Sequence, residues 1–309
     1  MKIKLIFLIM SILLISCQSE NKSNFKNQKI KVMSSIYPIA DLVRNIVGEK
    51  EAICLMPTGA DPHSFEPTPN TLKQLRDVKI FFFIGGDFDN WILKLVQSAH
   101  QQEIKLINLI NRIDVKMLKT TTHKHDHHDH ASEHTTESHV DPHIWLDPLI
   151  MKEIVNIIVR ELKIIDPTNA KKYEENGENY KLKLEKLHQE IDREVSTFKQ
   201  KSYISFHGAF QYFANRYSLH EIAVIEPIPG KEPSIKWLKN VISKAKKLNV
   251  KNILAEPQID PKLARILAKE LNGNVIIADP IEISTDSSKT NYIELMKYNL
   301  MQFKKMLKN

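Results

Sequence analysis

From residue 30 onward the chain alternates short apolar runs with longer amphipathic ones, and the alternation is interrupted once. The interruption runs from 167 to 199, with no proline after its first residue and a single glycine. Runs at 30–36, 51–56, 79–85 and 104–109 read as strands, and helical patterns follow Pro38 and cover 71–78 and 91–99. The rhythm returns with strand-like segments at 203–206, 221–225, 252–255 and 274–278, separated by helical patterns such as 234–248 and 261–271. Strand and helix in turn build βαβ units, because a parallel pair of strands needs a helix-length crossover. The expected class is therefore α/β: two open parallel-sheet lobes, 30–166 and 201–309, joined by a rigid helix over 167–200. At about 1.5 Å per residue that helix is roughly 45 Å long, a stiff rod and not a loose linker.

The first residues indicate the compartment. Lys2 and Lys4 precede an unbroken apolar and small run over 5–16 that ends at Cys17. The run is too short for a membrane-spanning helix, which takes about 20 residues, and reads as a signal peptide over 1–16. Leu14-Ile15-Ser16-Cys17 resembles a bacterial lipobox, so Cys17 is expected to carry lipid and residues 17–29 to act as a polar tether. The other reading is an ordinary cleaved signal with Cys17 incidental. With Cys17 used, only Cys54 remains, so no intramolecular disulfide forms and the fold stands on its core. The formal charge of +7 includes the two signal lysines; the remainder is expected to spread along helix faces, and no aromatic-interleaved basic stripe points to nucleic acid.

Three histidines stand in distinct settings: Gly59-Ala-Asp-Pro-His63, Asp141-Pro-His143-Ile-Trp-Leu-Asp147 and Ser205-Phe-His207-Gly. His63, His207 and the late Asp279 each follow a strand-like run, where open α/β sheets bind their ligands. His63 and His143 precede the rod and His207 and Asp279 follow it, which puts a metal site of His63, His143, His207 and Asp279 in the cleft between lobes. Three imidazoles and one carboxylate suit a transition metal, zinc first. Taken singly, each histidine beside Asp-Pro also fits a capped turn. Asp141 and Asp147 flank His143 and fit either of two roles, orienting its second ring nitrogen or capping the helix that starts near Pro148; capping is the commoner use.

Residues 120–140 form a low-complexity insertion with His123, His125, His127, His128, His130, His134 and His139. With almost no apolar residue it is expected to be a mobile loop that collects metal ions loosely, since ordering it costs entropy. A solvated spacer is the alternative.

The motifs Pro57-Thr-Gly-Ala-Asp-Pro-His63-Ser-Phe-Glu-Pro, Asp141-Pro-His143-Ile-Trp-Leu-Asp-Pro, His207-Gly-Ala-Phe-Gln-Tyr-Phe, Glu232-Pro-Ser and Ala255-Glu-Pro-Gln258 resemble those of metal-binding solute-binding lipoproteins of bacterial ABC importers. The resemblance runs from about residue 30 to the C-terminus. It implies one metal in an interlobe cleft, His63, His143, His207 and Asp279 as ligands, and delivery of Zn2+ to a membrane permease powered by a separate ATPase. Manganese-preferring members usually have Glu at the position of His207 and lack a His-rich loop, which favours zinc here. Import of manganese, or of both metals, is the alternative, because some members with three histidines and an aspartate take either and in some the aspartate does not coordinate. Zinc-specific relatives often have a second-lobe disulfide that this chain cannot form. A surface adhesin is a further reading from the resemblance. The expected state is a monomer anchored outside the cytoplasm, in a periplasm or at the cell surface, with no nucleic-acid partner.

A zinc hydrolase needs a general base fixed beside the metal. The chain has no His-Glu-x-x-His, no Gly-x-Ser-x-Gly and no Walker loop, and His220-Glu221 lacks a second histidine. The reading is binding without chemistry.

Overall fold

The computed structural model describes residues 30–60, 65–86, 88–101, 103–119, 140–227, 231–258, 260–283 and 291–308. The expected signal peptide, Cys17, the tether, His63 and the seven histidines of the insertion lie outside the described residues. The two ends of the insertion are nevertheless fixed to each other, because Lys119 and Val140 form an isolated antiparallel bridge.

The first lobe runs β1 (Lys31–Ser34), α1 (Tyr37–Val47), β2 (Ala52–Cys54), α2 (Pro69–Gln74), β3 (Val78–Phe83), α3 (Trp91–Ser98) and β4 (Lys105–Asn108). A 3-10 turn at Ile144–Leu146 and α4 (Pro148–Ile165) follow, then a second 3-10 turn at Pro167–Asn169 and α5 (Ala170–Ser196). The second lobe runs β5 (Ser202–Ser205), α6 (Gln211–Arg216), β6 (His220–Val224), α7 (Ile235–Lys247), β7 (Ile253–Ala255), α8 (Lys262–Glu270), β8 (Val275–Ile277) and α9 (Tyr292–Leu307). The sheets are β2-β1-β3-β4 and β6-β5-β7-β8. Every pairing in them is parallel. Both lobes thus share one strand order, and in each the order reverses between the first and third strands. The two parallel sheets are as expected.

β3 shows why these runs became interior strands. Ile80, Phe82 and Ile84 face one cluster and Phe81 and Phe83 another, so alternate side chains are buried on both faces. The second sheet repeats this: Tyr203 and Leu254 point inward to the first cluster, and Ile204, Ile253 and Ala255 outward under α7 and α8. The inner cluster is continuous from Val32 in the first lobe to Leu254 in the second and takes in α1, α4, α5 and α9.

The interlobe helix is shorter than expected. Proline at 167 starts a separate 3-10 turn, and α5 proper has 27 residues, about 40 Å. Its buried residues Tyr173, Gly177, Tyr180, Leu184, Leu187, Ile191 and Val195 recur every three or four positions, so α5 is embedded along one stripe instead of bridging open solvent. At Gly177 a Cβ would meet Val159 Cγ2 at 2.6 Å, so glycine sets how closely α5 approaches α4. Among the described residues no helix is long and apolar enough to cross a membrane.

Candidate metal centre

His143 sits at the entrance to the 3-10 turn before α4, and His207 two residues beyond the end of β5. Their ring centroids are 5.3 Å apart with planes at 71°, so the fold brings together two histidines separated by the whole of α4 and α5. Each ring has its Nδ1 on a buried carboxylate. His143 Nδ1 lies 2.7 Å from Asp141 Oδ1, which also accepts the His143 backbone N–H at 2.9 Å. His207 Nδ1 lies 2.8 Å from Glu256 Oε1. Glu256 directly follows β7, the neighbour of β5 across the strand-order reversal, which is where open α/β sheets hold ligands. An Nδ1 held on a carboxylate, with Nε2 turned the other way, is the arrangement usual for ligating histidines.

His143 Nε2 lies 3.0 Å from Glu282 Oε1. Glu282 was not among the sequence candidates. Asp279, which was, is buried after β8, but its Oδ1 accepts the Ile281 backbone N–H at 2.8 Å. Asn299 clamps the Asp279 backbone, donating to its carbonyl oxygen at 2.6 Å and accepting its N–H at 2.8 Å. Ile281 is fully buried with φ of +63°, a left-handed conformation that costs a β-branched residue about 1–3 kcal/mol. That reversal turns the chain so that Glu282, not Asp279, meets His143. Trp145 supports the turn by donating Nε1–H to the Pro280 carbonyl oxygen at 2.7 Å. Its ring also walls His143 at 5.2 Å.

The two aspartates flanking His143 divide the roles expected of them. Asp147 caps α4 by accepting Leu149 N–H at 2.8 Å and pairs with Arg216 Nη2 of the second lobe at 2.7 Å. Asp141 orients the imidazole, against the expectation that capping would account for both. Tyr212 on α6 ties the same segment across the lobes, donating its hydroxyl to the Asp141 carbonyl oxygen at 3.1 Å.

Burial alone would lower the His143 pKa, but the charge and hydrogen bond of Asp141, with Glu282 behind them, outweigh it and raise the value to about 10. His207 is likewise disfavoured by burial as a cation and moved upward by Glu256. Burial raises Asp279, and the carboxylates of Glu282 and Glu256 add to the effect. Glu221, which accepts the Ser205 hydroxyl at 2.6 Å, is pushed by burial to about 7. Burial raises the Cys54 thiol to about 12, and its Sγ donates to the Met56 carbonyl oxygen at 3.5 Å, so without a metal it is a neutral thiol packed against the core. Among the described residues no three His, Cys, Asp or Glu side chains make a ready-formed metal shell. The geometry is instead a pair of carboxylate-oriented histidines, one with a further carboxylate on its Nε2.

The chain is 28% identical over 313 residues to the zinc-binding protein AdcA of Streptococcus pyogenes serotype M3, an alignment covering 97% of this chain and 60% of that protein. It therefore spans three fifths of the length of that relative. It is 29% identical over 293 residues to the high-affinity zinc uptake system protein ZnuA of Bacillus subtilis, covering 94% of this chain and 91% of that one. The laminin-binding adhesin Lmb of Streptococcus agalactiae superposes with a TM-score of 0.78 at 26% identity, over 90% of this chain and all of that one. The family model described as zinc-uptake complex component A, periplasmic, matches residues 32–306, and the chain belongs to that family, ZnuA.

Proposed function

We propose that this chain captures Zn2+ outside the cytoplasm and delivers it to the permease of an ABC importer, with a separate ATPase supplying the energy. The observation that carries the reading is the interlobe histidine pair, His143 and His207, each with Nδ1 anchored on a buried carboxylate and rings 5.3 Å apart. Membership of the zinc-uptake family supports transport over hydrolysis. His63 is proposed as the third imidazole, with a carboxylate completing a tetrahedron. Glu282 is the better donor for that position than Asp279, because it already lies on His143 Nε2 while one oxygen of Asp279 accepts the Ile281 N–H. Imidazoles favour zinc over the harder, oxygen-seeking manganese.

Capture is an exchange of cations. With a pKa of about 10, His143 holds a proton at neutral pH, and Zn2+ at its Nε2 must expel it. The carboxylates of Asp141 and Glu282 that balance the His143 imidazolium before capture then balance the metal, together with Glu256 beside His207.

The test is growth of a strain lacking this chain in chelator-limited medium. Rescue by added zinc and by the wild-type chain, with no rescue by the His143→Ala, His207→Ala chain, supports zinc import. Rescue by manganese alone would make it a manganese importer. The likeness to a laminin-binding adhesin supports attachment as a second activity, which predicts binding to a host macromolecule that survives His143→Ala.

A further inference from the structure

The chain's charge is not spread along helix faces as expected. Of the formal +7, residues 235–271 alone carry +6, nine Lys and Arg against three Asp and Glu. These residues include α7 and α8, which lie side by side on the outer face of the second sheet. Both bury side chains in one cluster with Ile204, Phe206 and Ala255, and Lys246 Nζ reaches Glu270 Oε1 at 2.7 Å between their C-terminal ends. Lys236, Lys239, Lys247, Lys262, Arg265 and Lys269 are exposed on this pair. Its exposed acids are Glu270, held by Lys246, and Asp260, 3.8 Å from Arg265. By contrast α5, also highly charged, carries seven acids against six bases, close to balance. Three large apolar side chains also stand exposed on this face or at its end, Ile235 at 75%, Ile266 at 59% and Leu248 at 42%.

We propose that the α7–α8 face docks the second lobe side-on against an anionic phospholipid surface. Basic side chains meet the lipid phosphates, while the isoleucine tips enter the headgroup boundary, the division of labour of interfacial basic helices. Charge alone would suit any polyanion; the apolar tips among the lysines are what favour lipid. The inference rests on the extracytoplasmic reading above for its setting, but its test does not depend on metal.

That test is co-sedimentation of the chain without residues 1–17, which precede every described element. The vesicles are phosphatidylcholine, alone or mixed with phosphatidylglycerol. Binding should be at least tenfold stronger to the anionic vesicles and lost in high salt. Each basic group near such a surface contributes about fivefold, so Lys236→Glu with Lys239→Glu and Lys247→Glu should weaken binding roughly 100-fold. The charge-matched control on α5, Lys171→Glu with Lys183→Glu and Lys186→Glu, should lose less than threefold, and Ile235→Ser with Ile266→Ser severalfold. Equal binding to both vesicle types, or equal loss in the α5 control, overturns the proposal. So does binding to soluble polyglutamate as tight as to vesicles with no effect of the isoleucine changes. Zinc affinity measured on the same variants should be unchanged; its loss would count against the metal reading and not against this one.

Discussion

At the scale of single residues, the proposed site separates groups that orient the histidines from groups offered to the metal. Asp141 and Glu256 hold Nδ1 atoms, and their removal should act through the histidines: Asp141→Asn is expected to cost about 10–100-fold in zinc affinity, as outer partners of metal ligands do. Glu282→Gln should cost at least as much, whereas Asp279→Asn should cost less than about tenfold in affinity and lower the melting temperature by loosening the Ile281 turn. Competition against a chromogenic chelator measures each, and a larger loss for Asp279→Asn would return the carboxylate role to it. The raised pKa values fix the sign of the pH dependence. His143 must surrender a proton below pH 10, so affinity should rise about tenfold per pH unit for each proton released, and calorimetry in buffers of different ionisation enthalpy should show that release. In the metal-free chain the same pairing stabilises the fold fully below the ordinary histidine pKa, and the contribution is lost as pH rises through about 10. His143 and His207 were legible in the sequence because each stands in a distinctive motif at the exit of an apolar run or beside Asp-Pro. Glu282 was not, because between Ile281 and Ile283 it reads as the tail of an apolar segment, and only the left-handed turn at Ile281 reveals where it points.

At the scale of elements, the alternation of short apolar runs with longer amphipathic ones located the eight described strands to within a few residues, because their short length and the helical patterns between them separate such runs from buried helices. The bounds of the interlobe helix were less legible: a proline at 167 suits a 3-10 turn as well as a helix start, and the sequence does not distinguish them. The recurrence of Leu, Ile and Val at helical spacing is legible near the end of α5, but that one stripe is buried along its length follows from α1, α4 and α9 packing on it. The closest contact, Gly177 against Val159, gives a sharp prediction. Gly177→Val should destabilise the chain by about 1–3 kcal/mol through overpacking, seen as a lower thermal midpoint, and Val159→Ala in the same chain should recover part of the loss. An unchanged midpoint in Gly177→Val would mean that the two helices are not in register as described.

At the scale of the whole molecule, the lobes share one inner core and are tied by Asp147 to Arg216 and by Tyr212 to the segment that carries His143. A cleft so framed has little room for wide hinge closure. Small-angle scattering with and without zinc should therefore show almost no change in radius of gyration, and a change of several ångströms would require the inner core to part. Two separate lobes were expected from length and rhythm. The shared core was not visible in the sequence, because it is made by inward faces of strands far apart in the chain. The central claim, a cleft site that binds zinc without help from the histidine-rich insertion, is met most directly by titrating zinc against manganese on the chain with residues 120–138 removed. The existing bridge between Lys119 and Val140 leaves the fold's ends in place for that deletion. One zinc bound tightly, undisplaced by manganese and lost in His143→Ala, is the predicted result. Tight binding that disappears with the insertion, or that survives His143→Ala, would contradict it.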